Sequence, residues 1–206
     1  MEGRLTEFQS DALKELGNVG AGNAATALSQ LLGRNITLSI PKVDVLPVEE
    51  LVARVPGKGK IVAAVYLKIF GEIPARALII FPQDKVFLLL DLLFKQEPGT
   101  TKKFTENEQS AVKEIGNIIV SSYLNALSKF IGLNAVPSVP ALAVDMVEAI
   151  FQTVSAEMAE TGRQALLVET EMTEEITKVN SSLFLIPDEG SMEKILEALD
   201  NTVNGA

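Results

Sequence analysis

The sequence contains no cysteine and no histidine. The first absence removes disulfide scaffolds and thiolate zinc sites. The second removes Ser-His-Asp and Cys-His nucleophilic catalysis and the HExxH metalloproteases. Positive charge is scarce as well: 18 Lys and Arg stand against 27 Asp and Glu, for a net charge of −9. An electrostatic hold on nucleic acid or an anionic membrane is therefore not expected, and a basic or mixed-charge protein partner is. Long hydrophobic runs are missing. The most apolar stretch, Val86 to Phe94, carries Asp91 and is too short to span a bilayer. The opening residues, Met-Glu-Gly-Arg-Leu-Thr-Glu, hold no apolar signal core. These absences predict a soluble, cytoplasmic chain without membrane insertion.

What is present is a globular composition, 47% hydrophobic over 206 residues, enough to bury a core. It also repeats itself. Asp11-Ala-Leu-Lys-Glu15-Leu-Gly-Asn18, with Pro41 downstream, returns 99 positions later as Ser110-Ala-Val-Lys-Glu114-Ile-Gly-Asn117, with Pro140 downstream. In the same ungapped register Thr6 meets Thr105, Glu7 meets Glu106, Ala27-Leu-Ser29 meets Ala126-Leu-Ser128, and Gly33 meets Gly132. Such a run of identities predicts an internal duplication, with repeats at about residues 1–102 and 103–206 of a single domain.

Thr6-Glu-Phe-Gln9 and Thr105-Glu-Asn-Glu108 are matched capping boxes, each opening a long helix that Gly33 or Gly132 closes. The predicted apolar stripes are Leu13, Leu16, Gly20, Ala24, Ala27, Leu31 and Val112, Ile115, Ile119, Tyr123, Ala126, Phe130. A strand alternates at Ile36, Leu38 and Ile40 until Pro41 interrupts it; its counterpart, Leu133 to Val139, is blurred by Pro137. Each half ends in two β-rich runs and a helix: Ile61–Phe70, Ile73–Phe81 and Gln83–Lys95, then Gln164–Thr173, Ile176–Ile186 and Ser191–Leu199. Between first strand and hairpin lies an insert, short at Val48–Val52 and helical from Val147 to about Met158, ended by Gly162. The fold expected is α+β: two pseudo-two-fold-related α-β-(insert)-β-β-α halves. Paired edge to edge, they would form one six-stranded sheet with long exposed helices.

Helical geometry places Asp11, Glu15 and Asn18 within an arc of roughly 60°, opposite the apolar stripe, and does the same for Ser110, Glu114 and Asn117. An exposed Glu is ordinarily part of a solvated face. Asn in mid-helix costs roughly 0.6 kcal/mol against Ala, and the preceding Gly17 or Gly116 costs about 1 kcal/mol more. Close helix packing at the glycines is the structural explanation; a site is the functional one, since broken local rules gather at sites. An amide is neither acid nor base, but it can orient a water toward phosphorus while a metal elsewhere neutralises phosphoryl charge. Gly17-Asn-Val-Gly20-Ala-Gly22 lies inside a helix, follows no strand and is not a phosphate loop. A small-molecule hydrolase would need convergent acid–base groups, which the sequence does not supply.

The pattern Asp/Ser-x3-Glu-x2-Asn-x22-Pro, present twice without a gap, resembles the signature of the CheC–CheX–FliY family of chemotaxis phosphatases. Two motifs in one short chain resemble the CheC type; CheX carries one, and FliY adds a switch domain and an N-terminal CheY-binding peptide not expected here. The resemblance implies a protein phosphatase acting on the phosphorylated response regulator CheY. Asn18 and Asn117 would orient the attacking water, and Glu15 and Glu114 would bind a partner lysine. Asp11, Ser110, Pro41 and Pro140 would support the motif. No cofactor is expected on this chain; Mg2+ would be held by CheY. The resemblance also implies binding of the deamidase CheD and stimulation by it, with Asp145–Glu160 the segment expected to meet it. The alternative is a non-catalytic CheY-phosphate or CheD binding module related to flagellar switch proteins.

Overall fold

The computed structural model describes residues 5–47, 50–51, 59–158, 164–174 and 177–204. The elements run α1 (Glu7–Leu32), β1 (Ile36–Pro47), β2 (Ile61–Gly71), β3 (Ala75–Pro82), α2 (Gln83–Leu93), α3 (Glu106–Ile131), β4 (Ala135–Pro137), β5 (Ala141–Met146), α4 (Val147–Met158), β6 (Gln164–Glu174), β7 (Thr177–Pro187) and α5 (Ser191–Asn204). The insert expected at Val48–Val52 lies outside the described residues except for Glu50 and Leu51. So do Gly162 and Ile176, the expected first residue of its strand.

Both long helices begin and end where their caps place them. The Gln9 amide donates to Thr6 Oγ1 at 3.1 Å and the Thr6 amide to Gln9 Oε1 at 3.0 Å. In α3 the Thr105 amide donates to Glu108 Oε2 at 2.9 Å. Gly33 (φ 63°) and Gly132 (φ 70°) take the left-handed conformation that ends each helix. In α1 the buried stripe follows the predicted positions to Ala24 and then passes from half-buried Ala27 to Leu28; in α3 it follows them to Ala126, short of the last turn. There Leu32 and Ile131 are buried, whereas Leu31 and Phe130 are exposed. Successive four-residue steps rotate the contact face by about 40° each, which carries it past the predicted positions.

One continuous antiparallel sheet has the order β1-β6-β7-β3-β2-β4, with β5 also on β2. Six strand positions are thus filled by seven segments, because β4 and β5 share one edge. The edge-to-edge pairing of intact halves does not occur. Instead β1 pairs with β6 of the second half, and β4 and β5 pair with β2 of the first, so each half completes the other's sheet. Strand β5 was not foreseen. Nearly all its residues are exposed, so it lacks the alternation that marks a half-buried strand.

Pro41 does not end its strand. β1 runs on to Pro47, with its register against β6 shifted by one residue between Ser39 and Lys42. An edge strand tolerates a proline at such a bulge because no ladder hydrogen bond is forfeited. Pro140 lies in the gap between β4 and β5. There the Ser138 amide donates to the Lys68 carbonyl (2.7 Å) and the Lys68 amide to Ser138 Oγ (3.0 Å), while Val139 is 89% exposed.

The sheet is covered on both faces. Ala63, Val65 and Leu67 of β2, Ala77, Ile79 and Phe81 of β3, and Leu183 and Leu185 of β7 pack beneath α1, α2, α3 and α5. Their alternating neighbours Val62, Ala64, Leu78, Ile80, Phe184 and Ile186 meet Val147, Ile150, Phe151 and Val154 of α4. Central strands buried on both faces read as the unbroken apolar runs seen in the sequence. No described helix is long and apolar enough to cross a membrane.

The turn after α2 is held by Asp91, which is 1% exposed and accepts hydrogen bonds from the amides of Gly99 (2.6 Å) and Thr101 (2.8 Å). Burial works to raise its pKa. The Thr101 side chain and the amides of Thr101, Gly99 and Thr100 outweigh it and hold the carboxyl below its ordinary value. A depressed folded pKa means that this contribution is complete above the unfolded pKa and is lost as pH falls through the folded one. Asp91→Asn is expected to lower the unfolding free energy by about 2 kcal/mol at pH 7, with the deficit shrinking below pH 3.8. Urea titrations at neutral and acid pH check this; equal stability at pH 7 would contradict it.

Candidate functional site

The two motif helices lie side by side on one face of the sheet. At their crossing a Cβ on Gly20 would sit 3.0 Å from Tyr123 Cα and 3.3 Å from the Ser122 carbonyl, so a larger residue would need the facing backbone to give by a few tenths of an ångström. Each helix turns Ala12, Leu13, Leu16 and Gly17, or Val112, Ile115 and Gly116, into the core. The opposite face carries the predicted residues. Asp11, Glu15 and Asn18 are exposed, as are Ser110 and Glu114, and Asn117 is half-buried. All six therefore sit where the 3.6-residue periodicity put them, and each Glu and Asn pair is separated along the helix by about 4.5 Å. Neither amide is turned into the core or bonded to its own backbone. Among the described residues nothing hydrogen-bonds the side-chain amide of Asn18, while Asn117 Oδ1 accepts from Ser121 Oγ at 3.3 Å. Pro41 lies in β1 and Pro140 in the gap between β4 and β5, neither on a motif helix.

The glycine before each Asn has a packing reason. A Cβ on Gly17 would lie 2.5 Å from Ile40 Cδ1, and one on Gly116 would lie 2.8 Å from Val65 Cβ and both of its methyls. The helix is thus laid flush on the sheet at the residue preceding the amide. Ile40 directly precedes Pro41, so in the first half the motif proline marks the bulge beside the strand residue that contacts the motif helix. The second half does not copy this. Val139, the counterpart of Ile40, is exposed, and β2 supplies the contact through Val65.

A family model described as the CheC-like family matches residues 8–44 and again residues 108–144. The chain is similar to the CheY-P phosphatase CheC of Bacillus subtilis, with 32% identity over 199 residues, covering 95% of this chain and 95% of that protein. The chain belongs to the CheC-like family. Its fold is similar to that of Thermotoga maritima FliY, with a TM-score of 0.77 at 22% identity over 96% of this chain and 98% of that one. It is also similar to a chain of the CheX-CheY-BeF3-Mg+2 complex from Borrelia burgdorferi, with a TM-score of 0.52 at 15% identity over 82% of this chain and 96% of that one.

Each match to the CheC-like family model spans a motif helix and the strand segment after it, the parts that carry the two polar faces. Two features of those faces were missed in the sequence. Val19, 53% exposed, and Ile118, half-buried, sit beside the amides and offer a partner an apolar rim. Their signal was available: both are β-branched at the same offset in the repeat. Ser121 was missed because its counterpart is Gly22, so comparing the copies leaves it out.

The two glycine contacts differ in how easily they give. Ile40 Cδ1 is the end of a flexible chain, whereas Val65 is β-branched on a strand buried on both faces. Gly116→Ala is expected to destabilise by about 1–3 kcal/mol through overpacking. Gly17→Ala should be near neutral, since helix propensity returns about 1 kcal/mol. Chemical denaturation of the two variants checks the order; equal costs would contradict it.

Proposed function

We propose that this chain hydrolyses the aspartyl phosphate of CheY, using Asn18 and Asn117 to orient the attacking water. The observation that carries the reading is the pair of amides held on the outer face of core-anchored helices, each with a carboxylate one turn before it. Likeness to a protein named CheY-P phosphatase supports the substrate. In the step, the water oxygen forms a bond to phosphorus and the bond from phosphorus to the aspartyl oxygen breaks. The electron pair leaves on the CheY carboxylate, and the water's protons pass to inorganic phosphate and solvent. CheY would hold the Mg2+, which would supply charge neutralisation at the phosphoryl oxygens. The amide's contribution is positional: it accepts a hydrogen bond from the water and holds it in line. Glu15 and Glu114 bind a lysine of CheY and seat the helix, and Asp11 and Ser110 widen the polar face. Pro41 acts through the β1 bulge beside Ile40, while Pro140, whose neighbour Val139 is exposed, supports the motif without such a contact.

On this reading the chain works in the cytoplasm as one domain of two repeats, about 1–102 and 103–206. The exchange of first strands supports that division of labour, since neither half has a complete sheet alone. CheD is proposed to dock at Asp145–Glu160, of which Ala159 and Glu160 lie outside the described residues. The apolar stripe of α4 is spent on the core, through Val147, Ile150, Phe151 and Val154, so the docking surface is the exposed side with Asp145, Gln152 and Thr153. Asp145→Lys is expected to abolish stimulation by CheD and leave basal turnover intact; undiminished stimulation would exclude this surface.

Asn18→Ala and Asn117→Ala should each lower the rate of phosphate loss from CheY, and the double variant should lose about 100-fold or fall to spontaneous decay. Decay of radiolabelled CheY phosphate measures this. A double variant as active as the original chain would remove the amides from the mechanism. Binding of CheY phosphate by the original chain with no acceleration of its decay would mark a non-catalytic binding module instead.

A further inference from the structure

The two polar faces are not equivalent, and the difference lies four residues after the amide. Ser121 Oγ donates to Asn117 Oδ1 at 3.3 Å, and both residues are half-buried. The position 99 residues earlier is Gly22, which has no side chain to offer. The Ser121 geometry is also a departure from habit within this chain. Thr26, Ser29 and Thr153 each turn their hydroxyl back to the carbonyl four residues before, on Gly22 (3.0 Å), Ala25 (2.7 Å) and Ala149 (3.2 Å). That back-bond is the usual resting place of a helical hydroxyl. Ser121 takes the side-chain oxygen instead.

We infer that Ser121 is a positioning residue for Asn117, and that the second site is held ready by a tether the first one lacks. The inference rests on the phosphatase reading. A hydroxyl that donates to Oδ1 fixes which end of the amide is oxygen and which is nitrogen. It uses one lone pair of that oxygen and leaves the other, with both N–H donors, free for the water and the phosphoryl oxygens. An amide with its ends fixed presents its acceptor to the water in a single orientation; Asn18 must find that orientation at each turnover. As a positioning residue Ser121 acts through Asn117, so its effect belongs in kcat and not in KM.

Single-site proteins test this: Asn18→Ala leaves only the second site and Asn117→Ala only the first. In the Asn18→Ala protein, Ser121→Ala is expected to lower kcat about two- to tenfold with KM for phosphorylated CheY unchanged. Ser121→Thr, which keeps the hydroxyl, should retain kcat. In the Asn117→Ala protein, Gly22→Ser should raise kcat by a similar factor and Gly22→Ala should not. Gly22 is exposed and a Cβ there meets nothing within 4 Å, so the added hydroxyl has room. An unchanged or faster kcat in Ser121→Ala, an equal loss in Ser121→Thr, or an effect confined to KM would overturn the assignment. Failure of the underlying reading looks different: there the Asn18→Ala/Asn117→Ala protein itself would still hydrolyse.

Discussion

The contact on which the rest depends is the close approach of two glycines to the sheet. Gly17 lies on Ile40 and Gly116 on Val65, at distances that no larger residue fits without displacement. A helix seated so tightly has its rotation about its own axis fixed, because turning it would lift the glycine face and drive flanking side chains into the strands. The direction of Asn18 and Asn117 follows, being the next residue along. Ordering a reacting group in the folded state removes that ordering from a reaction barrier, so under the proposed mechanism the packing beneath the helix would serve the chemistry above it. The cross-half pairing of β1 with β6 and of β5 with β2 holds the platform under both helices together.

The chain supplies few reagents. Without histidine or cysteine it has no ordinary base or nucleophile near neutral pH, and the residues it offers outward are carboxylates, amides and a short apolar rim. Such a surface is suited to a reaction whose metal and labile bond arrive with the partner. Under the proposed mechanism, an acidic protein with a carboxylate for a lysine and an amide for a water would add position to chemistry already primed elsewhere.

Local signals in the sequence carried far. The capping boxes at Thr6 and Thr105, the left-handed glycines at 33 and 132, the two hairpins, and the outward direction of both Glu–Asn pairs could be read from spacing alone. What escaped was set by contacts distant along the chain. The exchange of first strands pairs Ile36 with Glu174 and Ala143 with Ala64, and no local pattern announces it. Pro41 read as a strand end because a bulge on an edge strand leaves no mark in composition. The Gly-Asn penalty proved to be two separate matters: glycine answers to packing, and only asparagine remains without a structural reason. Reading the duplication as symmetry hid both Ser121 and the unequal fates of Ile40 and Val139.

In the proposed mechanism the amide acts on water during the reaction and not on the grip between the proteins. The direct measurement is the affinity of the Asn18→Ala/Asn117→Ala protein for CheY loaded with beryllofluoride, taken beside its turnover of phosphorylated CheY. The account predicts affinity within about twofold of the original chain while turnover collapses. A loss of affinity that matches the loss of turnover would contradict it.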